Sequence, residues 1–424
     1  MTQFLHSVLD VLTQLGIPVD WVTDPGFWKY ASIPVVAGLV GWSTNWAAIE
    51  LTFKPLEFVG IRPFLGWQGI IPSKAGRMAA IFVDSTMIKL GTLPELFREM
   101  EPDKIAEQIV KVTSPRMERY TDEVMYRADD ATWRAVPDLV KQRIYAQVRA
   151  SLPKLVDALM GEINERIDDL VDFKHMVVDR LENDKDLLNR MFLESGSEEF
   201  KFIIRSGLYF GFLFGLVQLL VWVLYPAAWV LPTFGLVVGF ATNWIAINII
   251  FRPLYPTKFG PFTLQGIFLR RQEEVATAWC KLVTSEIVSV RAIIQAMVHG
   301  PHGDRTQELI RGRMEDIVKE AVRPFDLPVE LTMGKDRLDT IRKRVGDKSV
   351  AVATQPFDDW HFNQERSELV ESLLRQRMVE MPPEDFQGLL RPCFQEDEMK
   401  LILVGAALGL LAGLGQLFFV FGGP

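Results

Sequence analysis

The chain has 424 residues and a formal net charge of −8, which is long enough for two or three domains and leaves no bulk attraction to nucleic acid. Apolar residues make up 49% and charged residues 24%, the mixture of a membrane protein with sizeable soluble parts. Two cysteines far apart, Cys280 and Cys393, exclude a disulfide framework and a thiolate metal site, and read as small buried apolar residues.

The first 27 residues lack the basic region and small-residue cleavage site of a signal peptide. Phe4, Leu5, Val8, Leu9, Val11, Leu12 and Leu15 recur every three or four residues, which predicts an amphipathic helix. It is too short to span and would lie on the outer membrane surface or pack against the spans.

A bilayer-crossing helix needs roughly 20 mostly apolar residues. Four stretches meet or approach that need: about Trp28–Phe53, Phe202–Leu224, Ala227–Phe251 and Leu401–Phe421. The second and third are joined by the short "YPAAW" hairpin. Between spans lie two polar regions, 54–201 and 252–400, and an even number of spans puts them on one side. Positive charge flanks that side: Lys54, Arg62, Lys74, Arg77, Lys201, Arg205, Arg252, Lys258, Arg270, Arg271 and Lys400. Lys29 stands nearly alone on the other side, among Asp10, Asp20 and Asp24. The polar regions are therefore expected in the cytoplasm and both termini outside.

The polar regions read as mainly helical. Leu152, Leu155, Val156, Leu159, Ile163, Ile167 and Leu170 mark one amphipathic face within Ser151–Asp172. Leu309, Ile310, Met314, Ile317 and Val318 mark another within Asp304–Val322, and Ser367–Met381 repeats the pattern. These faces need partners, and each polar region is the natural partner of the other. The helices entering spans two and four are expected to continue from the cytoplasm. A short strand is conceivable only at Val350–Thr354. "FVGIRPFLGWQGIIP" and "KFGPFTLQGIF" carry Phe58, Phe64, Trp67, Phe259, Phe262 and Phe268 among glycines and prolines. They read as irregular interfacial segments that seat the soluble region on the bilayer, with plain domain core as the rival.

The chain is written twice. At one constant offset Pro34 meets Pro232, Gly41 meets Gly239, and Thr44-Asn45-Trp46 meets Thr242-Asn243-Trp244. Phe53 and Pro55 meet Phe251 and Pro253, while Gly207, Gly211, Gly215 and Gln218 meet Gly405, Gly409, Gly413 and Gln416. One residue short of that offset, Gln68-Gly69-Ile70 meets Gln265-Gly266-Ile267. The fold expected is thus an all-α integral membrane protein built by tandem parallel duplication, with repeats at 28–224 and 225–424. Each repeat is a span, a helical cytoplasmic region and a span, giving four transmembrane helices in all. The glycine series put small residues along one helix face, which lets backbones approach closely in lipid.

"GWSTNWAAIELTFKPLEFVGIRPFLGWQGIIPSKAGRMA" and "LLRPCFQEDEMKLILVGAALGLLAGLGQ" resemble an uncharacterised bacterial inner-membrane family, domain of unknown function number 445. The resemblance covers essentially the whole chain. It implies a multi-pass protein of the bacterial cell membrane with no established activity. In one departure, the stretch after "GIIP" is usually richly basic in such proteins, whereas "SKAGRMA" offers only Lys74 and Arg77.

Chemistry-bearing motifs are scarce. Of five histidines none falls in a His-Glu-x-x-His or Cys/His pattern, and no phosphate loop or dinucleotide fingerprint occurs. "HGPHGD", with His299, His302 and Asp304, reads as a loop rather than a metal site, and the acidic trio Glu396-Asp397-Glu398 as a helix start. No cofactor, metal or catalytic residue is expected.

The polar residues inside the spans are the stronger lead, because such groups face protein or water. Thr44, Asn45, Trp46, Thr242, Asn243, Trp244, Gln218 and Gln416 are candidates for ligand contact or helix packing. Gly207, Gly211, Gly215, Gly405, Gly409 and Gly413 are candidates for packing alone. Asn45 and Asn243 could bond to one another across the pseudo-axis. Glu50 is one turn before Lys54 and reads as its ion-pair partner. Its counterpart is Asn248, which argues against a symmetric proton relay.

The expected partners are membrane lipid and a protein partner or a second copy, without nucleic acid. Two functions follow, with a membrane enzyme as a lesser third. One is a non-enzymatic scaffold or envelope-maintenance protein, and the other a transporter or channel, conceivably for lipid, that uses the duplicated Thr-Asn sites.

Overall fold

A computed structural model describes residues 25–61, 65–322, 335–389, 391 and 398–422. The N-terminal amphipathic stretch, Arg62, Phe64, Cys393 and the trio at 396–398 lie outside what it describes, the last for its side chains at least.

The chain is mostly helical. Helix α1 spans Pro25–Phe53 and is followed by a hairpin of β1 (Val59–Ile61) and β2 (Leu65–Trp67). Short helical turns lead to α2 (Leu93–Glu99), α3 (Pro102–Thr113), α4 (Met117–Ala135) and the long α5 (Asp138–Leu170). Next come α6 (Phe173–Asn183), α7 (Lys185–Ser195), α8 (Ser197–Leu224) and α9 (Val230–Phe251). A second hairpin pairs β3 (Thr257–Phe259) with β4 (Phe262–Leu264). The remainder is α10 (Gln272–Glu286), α11 (Val290–His299), α12 (Gly303–Val322), α13 (Lys335–Val352), α14 (Trp360–Glu380) and α15 (Glu398–Gly415). A π turn, Gln416–Val420, closes α15.

Two expectations, on strand content, change here. The strand at Val350–Thr354 is the end of helix α13 and the turn after it. The aromatic stretches after α1 and α9 are not irregular but antiparallel hairpins. Their local signal was the glycine-rich alternation, masked by prolines. Helix α8 begins at Ser197, before the expected span, and runs on through it, with Gly196 separating it from α7.

Three described helices are long and apolar enough to cross a bilayer: Ser197–Leu224, Val230–Phe251 and Ile402–Val420. Helix α1 has the length, but Lys29, Ser32, Ser43, Thr44, Asn45 and Glu50 make it less apolar than these. The pair α10 and α11, bent by 45°, passes the same test of length and composition as a fourth. Its apolar residues, Val275, Trp279, Cys280 and Ile293 among them, are buried inside the protein.

The described residues fall into two compact units. The first draws on Met1–Met78, Lys185–Gln272 and Pro382–Pro424, the second on Ala79–Asp184 and Glu273–Met381. In the first unit α1 packs along α8, and α9 along α15. The two pairs meet through α8 with α9 and α1 with α15, around a core that includes Ile33, Trp222, Val230, Leu231 and Leu417. The second unit is a helical assembly in which the predicted amphipathic faces of α5 and α12 turn towards one another.

Candidate functional site

The pairing of α1 with α8 is set by small residues. A Cβ added at Gly41 would lie 2.3 Å from the Gly207 carbonyl oxygen, and one at Gly207 would lie 2.3 Å from that of Gly41. Gly211 meets the Ala37 carbonyl and Gly215 the Pro34 Cα, both at 2.5 Å by the same measure. The pairing of α9 with α15 uses the matching residues. Gly239 meets the Gly405 carbonyl at 2.2 Å, Gly409 the Gly235 carbonyl at 2.1 Å and Gly413 the Leu231 carbonyl at 2.4 Å. No side chain fits at these positions without separating the helices.

The buried polar groups are absorbed by the same contacts. Asn45 is fully buried and its Nδ2 donates to the Ile203 carbonyl on α8 at 2.7 Å. The glycine beside it brings this backbone acceptor within reach. Asn243 Nδ2 lies against Gly405, where a Cβ would approach it to 2.3 Å. Thr44 and Thr242 turn their hydroxyls back to the carbonyls of Gly41 and Gly239. Gln218 and Gln416 are buried, and the Gln416 amide nitrogen has no hydrogen-bond partner. Trp46 and Trp244, by contrast, face outward and are about half exposed, at 49% and 51%. The Thr-Asn-Trp triplet thus splits: Thr and Asn face inward and Trp outward.

The motifs after α1 and α9 have matching roles. The Lys54–Pro55 and Arg252–Pro253 peptide bonds are both cis. The Gly69 N–H donates to the Pro55 carbonyl at 2.9 Å, and the Gly266 N–H to that of Pro253 at 3.0 Å. Gln68 Nε2 donates to the Leu56 carbonyl, and Gln265 Nε2 to that of Leu254. Each Gln-Gly step therefore folds its hairpin back on the end of the preceding helix. Gly is needed there because a Cβ would strike that helix end, 2.8 Å from the Phe53 carbonyl carbon or 2.6 Å from the Ile250 oxygen. Carboxamides then cap the terminal carbonyls: Asn189 donates to Phe53 at 2.7 Å, and Gln387, with its amide oriented to satisfy its neighbours, donates to Phe251 at 3.2 Å.

Electrostatics in this unit centre on one buried pair. Glu199, 1% exposed, takes a two-pronged ion pair from Arg271 Nη1 at 2.9 and 2.8 Å. Glu50 and Lys54 form the expected i,i+4 pair at 3.2 Å, exposed on both sides. Among the described residues no three His, Cys, Asp or Glu side chains converge as a metal site would. His299 ends α11, and His302 lies in the turn before α12. Burial pushes the Cys280 thiol well above its ordinary value, as an inert core residue requires.

The second unit holds what the sequence did not disclose, a cavity of about 470 Å³. Its wall comes from both halves of the chain: Val148, Val156 and Ile163 from α5, Met297 from α11, Ile310 from α12 and Val345 from α13. The wall is almost wholly apolar. Lys348 is the one charged side chain among the described residues that line it. Thr306 also lines it, fully buried, with a hydroxyl that has no hydrogen-bond partner. Near one side Lys348 pairs with Glu123 and lies 5.0 Å from the Tyr120 ring centroid. The Lys348 ammonium holds the Glu123 carboxyl below the usual carboxylate range. The periodicity of Leu152, Val156, Leu159 and Ile163 is real helix amphipathy. That pattern cannot separate a face that fills a core from one that walls a cavity.

No family model matches the chain, and no solved structure matches it. Two curated proteins are similar in part. A UPF0754 membrane protein of Nostoc sp. is 26% identical over 169 residues, covering 36% of this chain and 38% of that protein. A UPF0754 membrane protein of Microcystis aeruginosa is 24% identical over 153 residues, covering 35% of this chain and 37% of its own length. The chain thus spans under two fifths of the curated relatives it matches. With its apolar helices and these distant homologues, it is a membrane protein similar to an uncharacterised membrane family.

Proposed function

We propose that the protein is a non-enzymatic scaffold or envelope-maintenance protein of the bacterial inner membrane, which holds a helical domain at the cytoplasmic face. The observation that carries this reading is the use of Asn45 and the paired glycines. The Asn45 amide nitrogen donates to the neighbouring helix backbone, and the Thr44 and Thr242 hydroxyls turn back on their own helices, which supports a packing role for these groups, while Asn45 Oδ1 and the Gln416 amide nitrogen are buried without a partner. The transporter alternative rests on those same groups.

The reading includes tandem duplication and four spans, with α1 as the first. Matched hairpins, matched Gln-Gly folds and matched carboxamide caps after α1 and α9 support it. The outward Trp46 and Trp244 suit a lipid-facing surface. Exposed Val59, Ile61 and Leu264 on the hairpins suit contact with the bilayer interface.

Purified protein in vesicles tests the choice. With a fluorescent phospholipid in both leaflets and an external quencher, the scaffold reading expects the protein-free trace, and no release of an entrapped dye. Lipid exchange or dye release that scales with protein and is lost in Asn45→Leu/Asn243→Leu would overturn it.

A further inference from the structure

The cavity in the second unit is too large for a packing defect and too apolar for water. Pockets that hold small molecules run to roughly 300–1,000 Å³, and this one falls within that range at about 470 Å³. Water needs two to four polar partners to settle in a cavity, and this wall offers few. Removing such a wall from water is favourable for any apolar occupant. The lining is also of a particular kind. It is long and built from successive turns of α5, from Val148 through Leu152, Val156 and Leu159 to Ile163, faced by α11 and α12. Methionines at positions 160, 297 and 314 adjust to a flexible chain better than branched residues do.

Several hydroxyl groups and one cation break the apolar surface, and two of these groups bear on an occupant. Among the described residues that line the wall Lys348 supplies the one positive charge, and its aliphatic stem is mostly covered while the ammonium is shared with Glu123. The Thr306 hydroxyl is buried without a partner, an arrangement that costs free energy unless something in the cavity accepts from it. One cation and one unpartnered buried hydroxyl on a largely apolar surface suit an amphiphile with a single tail and a small anionic head.

We propose that this cavity binds one long-chain fatty acid, with its tail along α5 and its carboxylate at Lys348. A polar or aromatic metabolite would leave its own hydrogen-bonding groups unpaired against this wall. The inference stands on the cavity alone and does not depend on the scaffold reading. A source of such acids is at hand for any chain that also carries bilayer-spanning helices.

The test uses the full chain in lipid nanodiscs and a diazirine-labelled palmitic acid, with labelled peptides mapped by mass spectrometry. Labelling of peptides from the spans provides an internal reference. Wild-type protein should label on α5 and α11 peptides as well as on the spans. Val156→Trp, which fills the cavity, should lower the ratio of cavity to span labelling about tenfold. Lys348→Gln should lower it about three- to tenfold for the acid and leave a diazirine-labelled long-chain alcohol unchanged. Labelling confined to the spans in wild type would overturn the proposal, as would equal cavity labelling in Val156→Trp. Equal loss of acid and alcohol in Lys348→Gln would overturn the placement of the head. Cavity labelling by a phospholipid carrying the diazirine on one tail, as strong as by the free acid, would overturn the fatty-acid assignment. Should Val156→Trp fail to fold, the wild-type map and the Lys348→Gln comparison decide the matter.

Discussion

Asn45 reaches the backbone of α8 only because Gly207 has no side chain: a Cβ there would sit 2.7 Å from the Asn45 amide nitrogen. The glycine and the asparagine are one device, and Gly405 with Asn243 is its match. Substituting Gly207→Ala should destabilise the membrane unit by about 1–3 kcal/mol through overpacking. Asn45→Leu should cost about 1 kcal/mol, in the range of hydrogen bonds between helices in lipid. Combined, the two losses should be less than additive, since Gly207→Ala already dislodges the amide. Thermal unfolding of the four proteins of this cycle in one detergent checks it, and strict additivity would refute the coupling.

The ion pair of Glu199 with Arg271 should respond unequally to loss of either partner. The Glu199 side chain is 2% exposed and that of Arg271 18% exposed. Removing the arginine strands a carboxylate out of reach of water, while removing the carboxylate leaves an arginine that still reaches solvent. Arg271→Gln should therefore cost about 3–5 kcal/mol. Glu199→Gln should cost less, and the double variant should recover part of the loss of Arg271→Gln. Equal melting temperatures for the two single variants would count against this account.

Acid should loosen the start of α2. The Thr92 N–H donates to the Glu95 carboxylate at 3.0 Å, and Arg377 Nη1 stands at 3.0 Å from the same oxygen. The Thr92 hydrogen bond first, and Arg377 next, hold the Glu95 carboxyl below the usual carboxylate range. A carboxylate with a depressed folded pKa stabilises above its unfolded value, roughly 4.3. That contribution is lost as the pH falls through the lower folded value. Hydrogen exchange over Leu93–Glu99 should accelerate in that window, after correction for intrinsic rates. Glu95→Gln should exchange faster at neutral pH and lose the extra acid sensitivity.

Charge placement predicts the topology. Lysine and arginine cluster after α1 and α9, while the residues after α15 carry no charged side chain. A reporter fused after Pro424 should be active only outside the cytoplasm, and one inserted in the turn at 300–302 only inside. A cytoplasmic signal from the first fusion would remove the proposed orientation.

Periodicity and matching made much of the membrane unit legible. Gly207 and Gly405 were readable as packing positions because small residues four apart have a single common use in apolar helices. Asn45 was readable as a buried polar group, but its partner was not. Which carbonyl lies closest depends on the separation of two backbones, and that appears only once Gly41 and Gly207 are in contact. The hairpins were hidden because Pro55 and Pro253 and the glycines obscure a strand only three residues long. The caps by Asn189 and Gln387 join residues far apart in the chain and leave no local trace. The cavity was the least legible feature. Val156 and Ile310 look alike in sequence whether they meet another side chain or open space.

The first unit is assembled from three separate lengths of chain, and this sets an order for its construction. Helix α1 and its partner α8 both exist by the time residue 224 has been made. Helix α9 emerges directly afterwards, with Gly235 and Gly239 exposing bare backbone, but its partner α15 begins only at Glu398. The ribosome must produce half of the second unit's chain in between. During that interval the small-residue face of α9 lacks the helix that covers it in the folded protein, so α15 is the piece that completes the unit.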